Sequence, residues 1–182
     1  TGSSNAAVGR RALTSNTTGV HNVAMGFNSL FATTTGLCNV GVGGGALQSN
    51  TTGCYNIGIG RFANCANLTS NNNTAVGHQS LKLNTAANNT AVGYEALSAN
   101  TSGAHSVAVG CGALASNTTS GENTAVGFGA LAAQTTGTPN DAFGNQSLCK
   151  LTTGCHNIGL GYRAMCDTTT GENNTAVGYQ AL

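Results

Sequence analysis

One 17-residue unit repeats eleven times along this chain, and that period restricts the fold more than any single residue does. With the Asn before the apolar pair as position 1, copies begin at Asn5, Asn22, Asn39, Asn56, Asn73, Asn89, Ser106, Asn123, Asn140, Asn157 and Asn174. Every step is 17 residues except that from Asn73 to Asn89, which is 16. A fixed period of this length marks a solenoid, in which each unit is a coil that buries its apolar face only against its neighbours.

The columns of the repeat have physical readings. Position 5 is Gly in all eleven copies: Gly9, Gly26, Gly43, Gly60, Gly77, Gly93, Gly110, Gly127, Gly144, Gly161 and Gly178. A Gly in every coil implies a bend at positive φ or a close approach of backbone to backbone. Position 3 is only Ala or Gly and position 8 only Ala or Ser, which implies a narrow interior. Position 4 is always apolar, and position 9 is Leu or Met in every copy but that of Asn64. These two positions are expected to fill the core. Asn64 is then expected either to hydrogen-bond backbone inside or to yield its place to Phe62, because an unpaired buried amide costs about 1–3 kcal/mol.

The unit is too short for a helix plus a strand, and its Thr, Val, Ile and Gly content disfavours helix. The expected fold is all-β: a single parallel β-solenoid over residues 1–182 with a 17-residue coil. Each coil is read as two short strands, positions 1–4 and 7–10, joined at the Gly and closed by the Asn-Thr-Thr-Gly stretch. Stacking at about 4.8 Å gives a rod roughly 50 Å long. Neither end of the sequence carries a capping element, so a longer repeat array or contact with other subunits is expected. Position 6 holds Phe27, His78, Tyr94, Phe128, Tyr162 and Tyr179, a broken aromatic ladder that reads as packing over the bend or as a sugar-binding strip.

Only 6% of the chain is charged and the net charge is +1, so there is no basic stripe to meet a nucleic acid. No run is long and apolar enough for membrane insertion as a helix. A surface so poor in charge needs a polar Thr/Asn/Ser skin, attached sugar, or burial against neighbouring chains. The five acids, Glu95, Glu122, Asp141, Asp167 and Glu172, are scattered, with no pair placed for acid–base work. His21, His105 and His156 share position 17 on coils too far apart to hold one metal. Gly41-Val42-Gly43-Gly44-Gly45 resembles a phosphate loop only superficially, lacking its Lys-Ser/Thr ending. No nucleophile sits beside a base, so neither an enzyme nor a cofactor is expected.

Seven cysteines point to an oxidising setting. Cys149 and Cys166 share position 10 on adjacent coils, where a coil spacing of about 4.8 Å suits a disulfide. Cys38 and Cys54 form a second candidate pair with a one-residue offset. Cys65, Cys111 and Cys155 remain without an assigned partner. Sequons occur at Asn16, Asn50, Asn67, Asn72, Asn88, Asn100, Asn117, Asn145 and Asn173. Five of them, Asn16, Asn50, Asn67, Asn100 and Asn117, share position 12 in the closing turn and are expected to be exposed acceptors. Asn-rich turns also generate sequons by chance.

The pentads Asn22-Val23-Ala24-Met25-Gly26 and Ser106-Val107-Ala108-Val109-Gly110 resemble the head repeats of trimeric autotransporter adhesins. The fuller unit from Asn174 to Leu182 is similar to repeats of phage-type tail-fibre proteins. The resemblance implies a left-handed β-roll, association of three rolls, and surfaces that bind matrix or host cells. The leading expectation for function is a non-catalytic structural module of an extracellular or virion-surface fibre or filament, glycosylated on its sequons. Its partners would be copies of itself, as a homotrimer or helical polymer. The alternatives are an adhesin or tail-fibre head that binds surface glycans or matrix, and an ice-binding solenoid. Position 2 lacks a regular Thr lattice for the last.

Overall fold

The computed structural model describes residues 2–182 and contains eleven parallel strands and no helix. They are β1 (Ala6–Val8), β2 (Val23–Met25), β3 (Val40–Val42), β4 (Ile57–Ile59), β5 (Thr74–Val76), β6 (Thr90–Val92), β7 (Val107–Val109), β8 (Thr124–Val126), β9 (Asn140–Phe143), β10 (Asn157–Leu160) and β11 (Thr175–Val177). Each strand pairs with the next in chain order, giving one sheet from β1 to β11. The register advances by one repeat per coil, as in Ala108↔Ala125, and absorbs the 16-residue step by pairing Ala75 with Ala91. The chain is therefore a β-solenoid.

Each coil contributes one strand, not two. Positions 7–10 form a run of turns in which positions 7 and 9 take positive φ, for example 56° at Asn28 and 49° at Leu30. This backbone still bonds across coils: Leu30 N–H donates to the Ala46 carbonyl at 3.0 Å, and Asn28 N–H to the Arg10 carbonyl at 3.1 Å. The alternating hand prevents an extended strand, and it directs the position 9 side chain inward. An isolated Leu in that conformation costs roughly 1–2 kcal/mol, which complete burial of Leu30, Leu47, Leu81, Leu97, Leu114, Leu131 and Leu148 offsets.

Position 4 does not fill the core. In a three-residue strand with period-2 alternation, only the middle residue faces inward. Position 3 is that residue: Ala24, Ala75, Ala91, Ala108, Ala125 and Ala142 are completely buried. Positions 2 and 4 face outward, so Met25, Ile59, Phe143 and Leu160 are exposed. The apolar interior thus consists of small residues at positions 3 and 8 and one Leu or Met per coil from Leu13 to Met165, except at Asn64, with Leu151 added at position 12.

The position 5 glycines meet both demands read from the repeat. Their φ lies between 122° and 138°, where a side chain is strained. A Cβ on Gly110 would lie 2.6 Å from the carbonyl carbon of Gly127 on the next coil.

Asn64 fits neither expectation. It is completely buried, and its Oδ1 and Nδ2 have no hydrogen-bond partner. Phe62 does not take its place: the ring is half-buried beneath the Arg61 guanidinium, 4.4 Å from its centroid. The apolar core divides at this coil into one cluster of Leu13, Ala24, Leu30 and Leu47 and another running from Ala63 to Ala176.

Candidate functional site

Two asparagine columns hold the coils closed. At position 1, Asn39 Nδ2 donates to the Gly53 carbonyl at 2.8 Å and joins the start of its coil to the end. Its Oδ1 accepts the backbone N–H of Asn56 on the next coil at 2.9 Å. The same pair of bonds recurs at Asn22, Asn56, Asn89, Asn140 and Asn157. Asn alone among small side chains offers a donor and an acceptor at that reach. Ser106 shows the limit: its shorter hydroxyl accepts Asn123 N–H at 3.4 Å.

Position 12 forms the second column, and here the sequon expectation is overturned. Asn50, Asn67, Asn100 and Asn117 are completely buried. The amide of Asn67 donates to the Ser70 carbonyl at 3.0 Å and to Asn50 Oδ1 at 3.1 Å. Asn117 likewise donates to Ser120 and Asn100. A glycan replaces one amide hydrogen; Asn67, Asn100 and Asn117 engage both inside the wall, and Asn50 donates to the Gly53 carbonyl. Asn16, on the first coil, is half-buried and donates to Gly19. The exposed sequons are Asn72, Asn88 and Asn173 at position 17 and Asn145 at position 6.

Cys149 and Cys166 form a disulfide, with Cα atoms 5.0 Å apart across adjacent coils. Cys38 and Cys54 do not pair, and both are free thiols. The one-residue offset is the reason: the residue one repeat after Cys38 is Tyr55, and Cys54 Sγ turns to the Thr52 carbonyl at 3.3 Å. Cys65, Cys111 and Cys155 are also free. Burial pushes the Cys65 thiol above its ordinary value, whereas Cys111 is exposed. Beside the disulfide, Lys150 and Asp167 form a surface ion pair at 2.6 Å. The ammonium holds the Asp167 carboxyl below its ordinary value by hydrogen bond and then by charge.

The outer face of the sheet is continuous across all eleven strands. Position 4 presents Val8, Met25, Val42, Ile59, Val76, Val92, Val109, Val126, Phe143, Leu160 and Val177. Position 2 adds Val, Ile, Ala or Thr on every coil except that of Asp141, the single charge in the two columns. Past the Gly bend, position 6 continues the apolar margin with Phe27, Tyr94, Phe128, Tyr162 and Tyr179, all exposed. Its rings stack where neighbours allow: His78 on Tyr94 at 5.4 Å and Tyr162 on Tyr179 at 5.3 Å.

No protein-family model, curated protein or solved structure matches this chain.

Sequence reasoning missed a polar column on the opposite side. Position 14 is Thr or Ser in every complete closing turn except that of Ala86, and Thr18, Thr35, Thr52, Thr69, Ser102, Thr119, Thr136, Thr153 and Thr170 are all exposed. Position 13 hydroxyls instead donate to the next coil, as Thr51 does to the Leu68 carbonyl at 2.9 Å. Aligning the Thr-Thr pairs by column would have separated the two roles. Among the described residues, no three of His, Cys, Asp and Glu come together as metal ligands, and no helix is long and apolar enough to cross a membrane.

Proposed function

We propose that this chain is a non-catalytic structural module of an extracellular or surface fibre, whose rods associate through the outer face of the sheet with copies of themselves. The apolar sheet face is the observation that carries the reading. Eleven strands at about 4.8 Å, each about 10 Å long, make a face of roughly 500 Å². That is more than half of the roughly 800 Å² per partner that a standard protein interface buries. An apolar patch of that extent on a soluble protein marks an interaction surface. The rod also has almost no charge to keep such a face in water.

A second copy fits the face better than a dissimilar partner. Every coil presents the same column, so two rods present matching ridges along their whole length. Asparagine columns and a disulfide inside the wall suit a load-bearing module outside the cell, where thiols oxidise.

Sedimentation equilibrium of the full chain tests the proposal. The expected outcome is concentration-dependent association that Val92→Lys with Val109→Lys abolishes while the far-UV circular dichroism spectrum stays unchanged. A monomer at every concentration would remove the reading.

A further inference from the structure

The repeat carries one local break in its surface relief, at coils 6 to 9. Position 7 is Glu95, Gly112, Gly129 and Gln146 on these four coils. Two successive glycines there leave a notch. A Cβ on Gly112 would meet nothing within 4 Å, and one on Gly129 only Gln146 Cγ at 3.8 Å. Gly45, in the same column, is different: the Phe62 ring lies 2.6 Å from where its Cβ would stand and fills the space. The notch opens into a groove of about 520 Å³ lined by Tyr94, Phe128, Cys111, Glu95, Ser116 and Gln146. That volume lies in the range of small-molecule sites, which are mostly apolar with a few placed polar groups.

We propose that this groove is a carbohydrate subsite that seats one pyranose ring between Tyr94 and Phe128, over Cys111. The position 6 ladder supplies the argument. Adjacent rings on this column stack at 5.3–5.4 Å. Tyr94 and Phe128 are two coils apart, roughly 9.6 Å, and the intervening residue is the short Cys111. A ring seated over that thiol lies about 4.8 Å from each neighbour, within the usual range of ring contacts. A flat aromatic would also fit that spacing, as the stacked rings of this column do, so the preference for a sugar rests on the polar groups beside the slot. A chair presents axial C–H bonds to the ring on either side and hydroxyls around its rim.

Glu95 and Gln146 stand beside the slot, at the two ends of the notch. Glu95 accepts from hydroxyls, and Gln146 both accepts and donates. The Glu95 carboxylate raises the Tyr94 phenol above its ordinary value, first as a hydrogen-bond partner and then by its charge. Both aromatic residues are about half exposed, and Tyr94 carries His78 on one face.

Saturation-transfer-difference NMR on the full chain is the test, with the methyl pyranosides of glucose, galactose, mannose and N-acetylglucosamine as probes. At least one is expected to receive saturation and to slow alkylation of Cys111. Gly112→Gln fills the notch with a residue that the column already accepts at Gln79, Gln146 and Gln180, so the fold is kept. It should weaken binding at least about tenfold, as should Phe128→Ala. Phe27→Ala, on the same column but far from the notch, should leave binding unchanged. Absence of transfer from every pyranoside at tens of millimolar, full binding by Gly112→Gln, or capture of indole in place of the sugars would each overturn the assignment.

Discussion

Replacing Asn64 with Leu should stabilise the rod. The amide is completely sequestered, neither of its polar atoms has a partner, and its column neighbours Leu47 and Leu81 are completely buried. Leaving such a group unpaired costs about 1–3 kcal/mol. Burying a Leu side chain in its place adds roughly 1.5–3 kcal/mol of transfer free energy. Two terms oppose these gains. Asn64 sits at φ 47°, which Asn tolerates better than Leu, at a cost of roughly 1–2 kcal/mol. The added methyl group must also fit without strain, and Gly58 at position 3 of this coil opens no void for it, because Leu47 Cγ already lies 3.0 Å from where a Cβ would stand. The net expectation is about 2 kcal/mol of stabilisation, or roughly 4–8 °C in melting temperature for a chain of this size. Thermal unfolding followed by far-UV circular dichroism measures it. The substitution also joins the two core clusters that part at this coil, so the transition should sharpen. A variant that melts at or below the parent would refute the reasoning, and with it the claim that Asn64 lies unpaired in the core.

Other outcomes follow from the same geometry. Gly110→Ala should destabilise by about 3 kcal/mol or more, since strain at φ 131° is joined by a clash with the Gly127 backbone, and urea unfolding measures it. In folded material secreted from a glycosylating host, peptide mass mapping should find N-glycans confined to Asn72, Asn88, Asn145 and Asn173; a glycan at Asn50, Asn67, Asn100 or Asn117 contradicts the buried ladder. Non-reducing peptide maps should recover Cys149 joined to Cys166. Exposed Cys111 should alkylate fastest and desolvated Cys65 slowly, while replacing both disulfide cysteines by Ser should cost about 3 kcal/mol through the lost one-coil loop closure.

The period, the Gly column and the parallel stacking were legible in the sequence, because a feature repeated in every coil averages out local accident. The Cys149–Cys166 bond was legible for the same reason: same-column residues are neighbours by construction. What misled was the assumption that an apolar column faces inward. Position 4 is the most uniformly apolar column, yet strand alternation sends it outward and gives the interior to the less conspicuous Ala at position 3. The second strand failed because sequence patterning does not reveal a Leu at positive φ; alternating backbone hand leaves no compositional trace. The expected exposure of the position 12 sequons failed because Asn was read only as a turn residue. Its other property, an amide that can stack and bond in register, places Asn50, Asn67, Asn100 and Asn117 inside the wall. The notch at Gly112 and Gly129 lay in view as two successive glycines at position 7, and only the open space around them distinguishes it from the filled site at Gly45.

Mass per length of the assembled material tests most directly whether rods join through the sheet face. One coil of 17 residues in this 182-residue, 18.0 kDa chain weighs about 1.7 kDa per rise of about 4.8 Å. Scanning transmission electron microscopy of the native chain should give a whole-number multiple of that value, two or greater, and the Val92→Lys, Val109→Lys variant should return the value of a single rod. A native rod with single-coil mass per length, unchanged by those charges, would contradict the account.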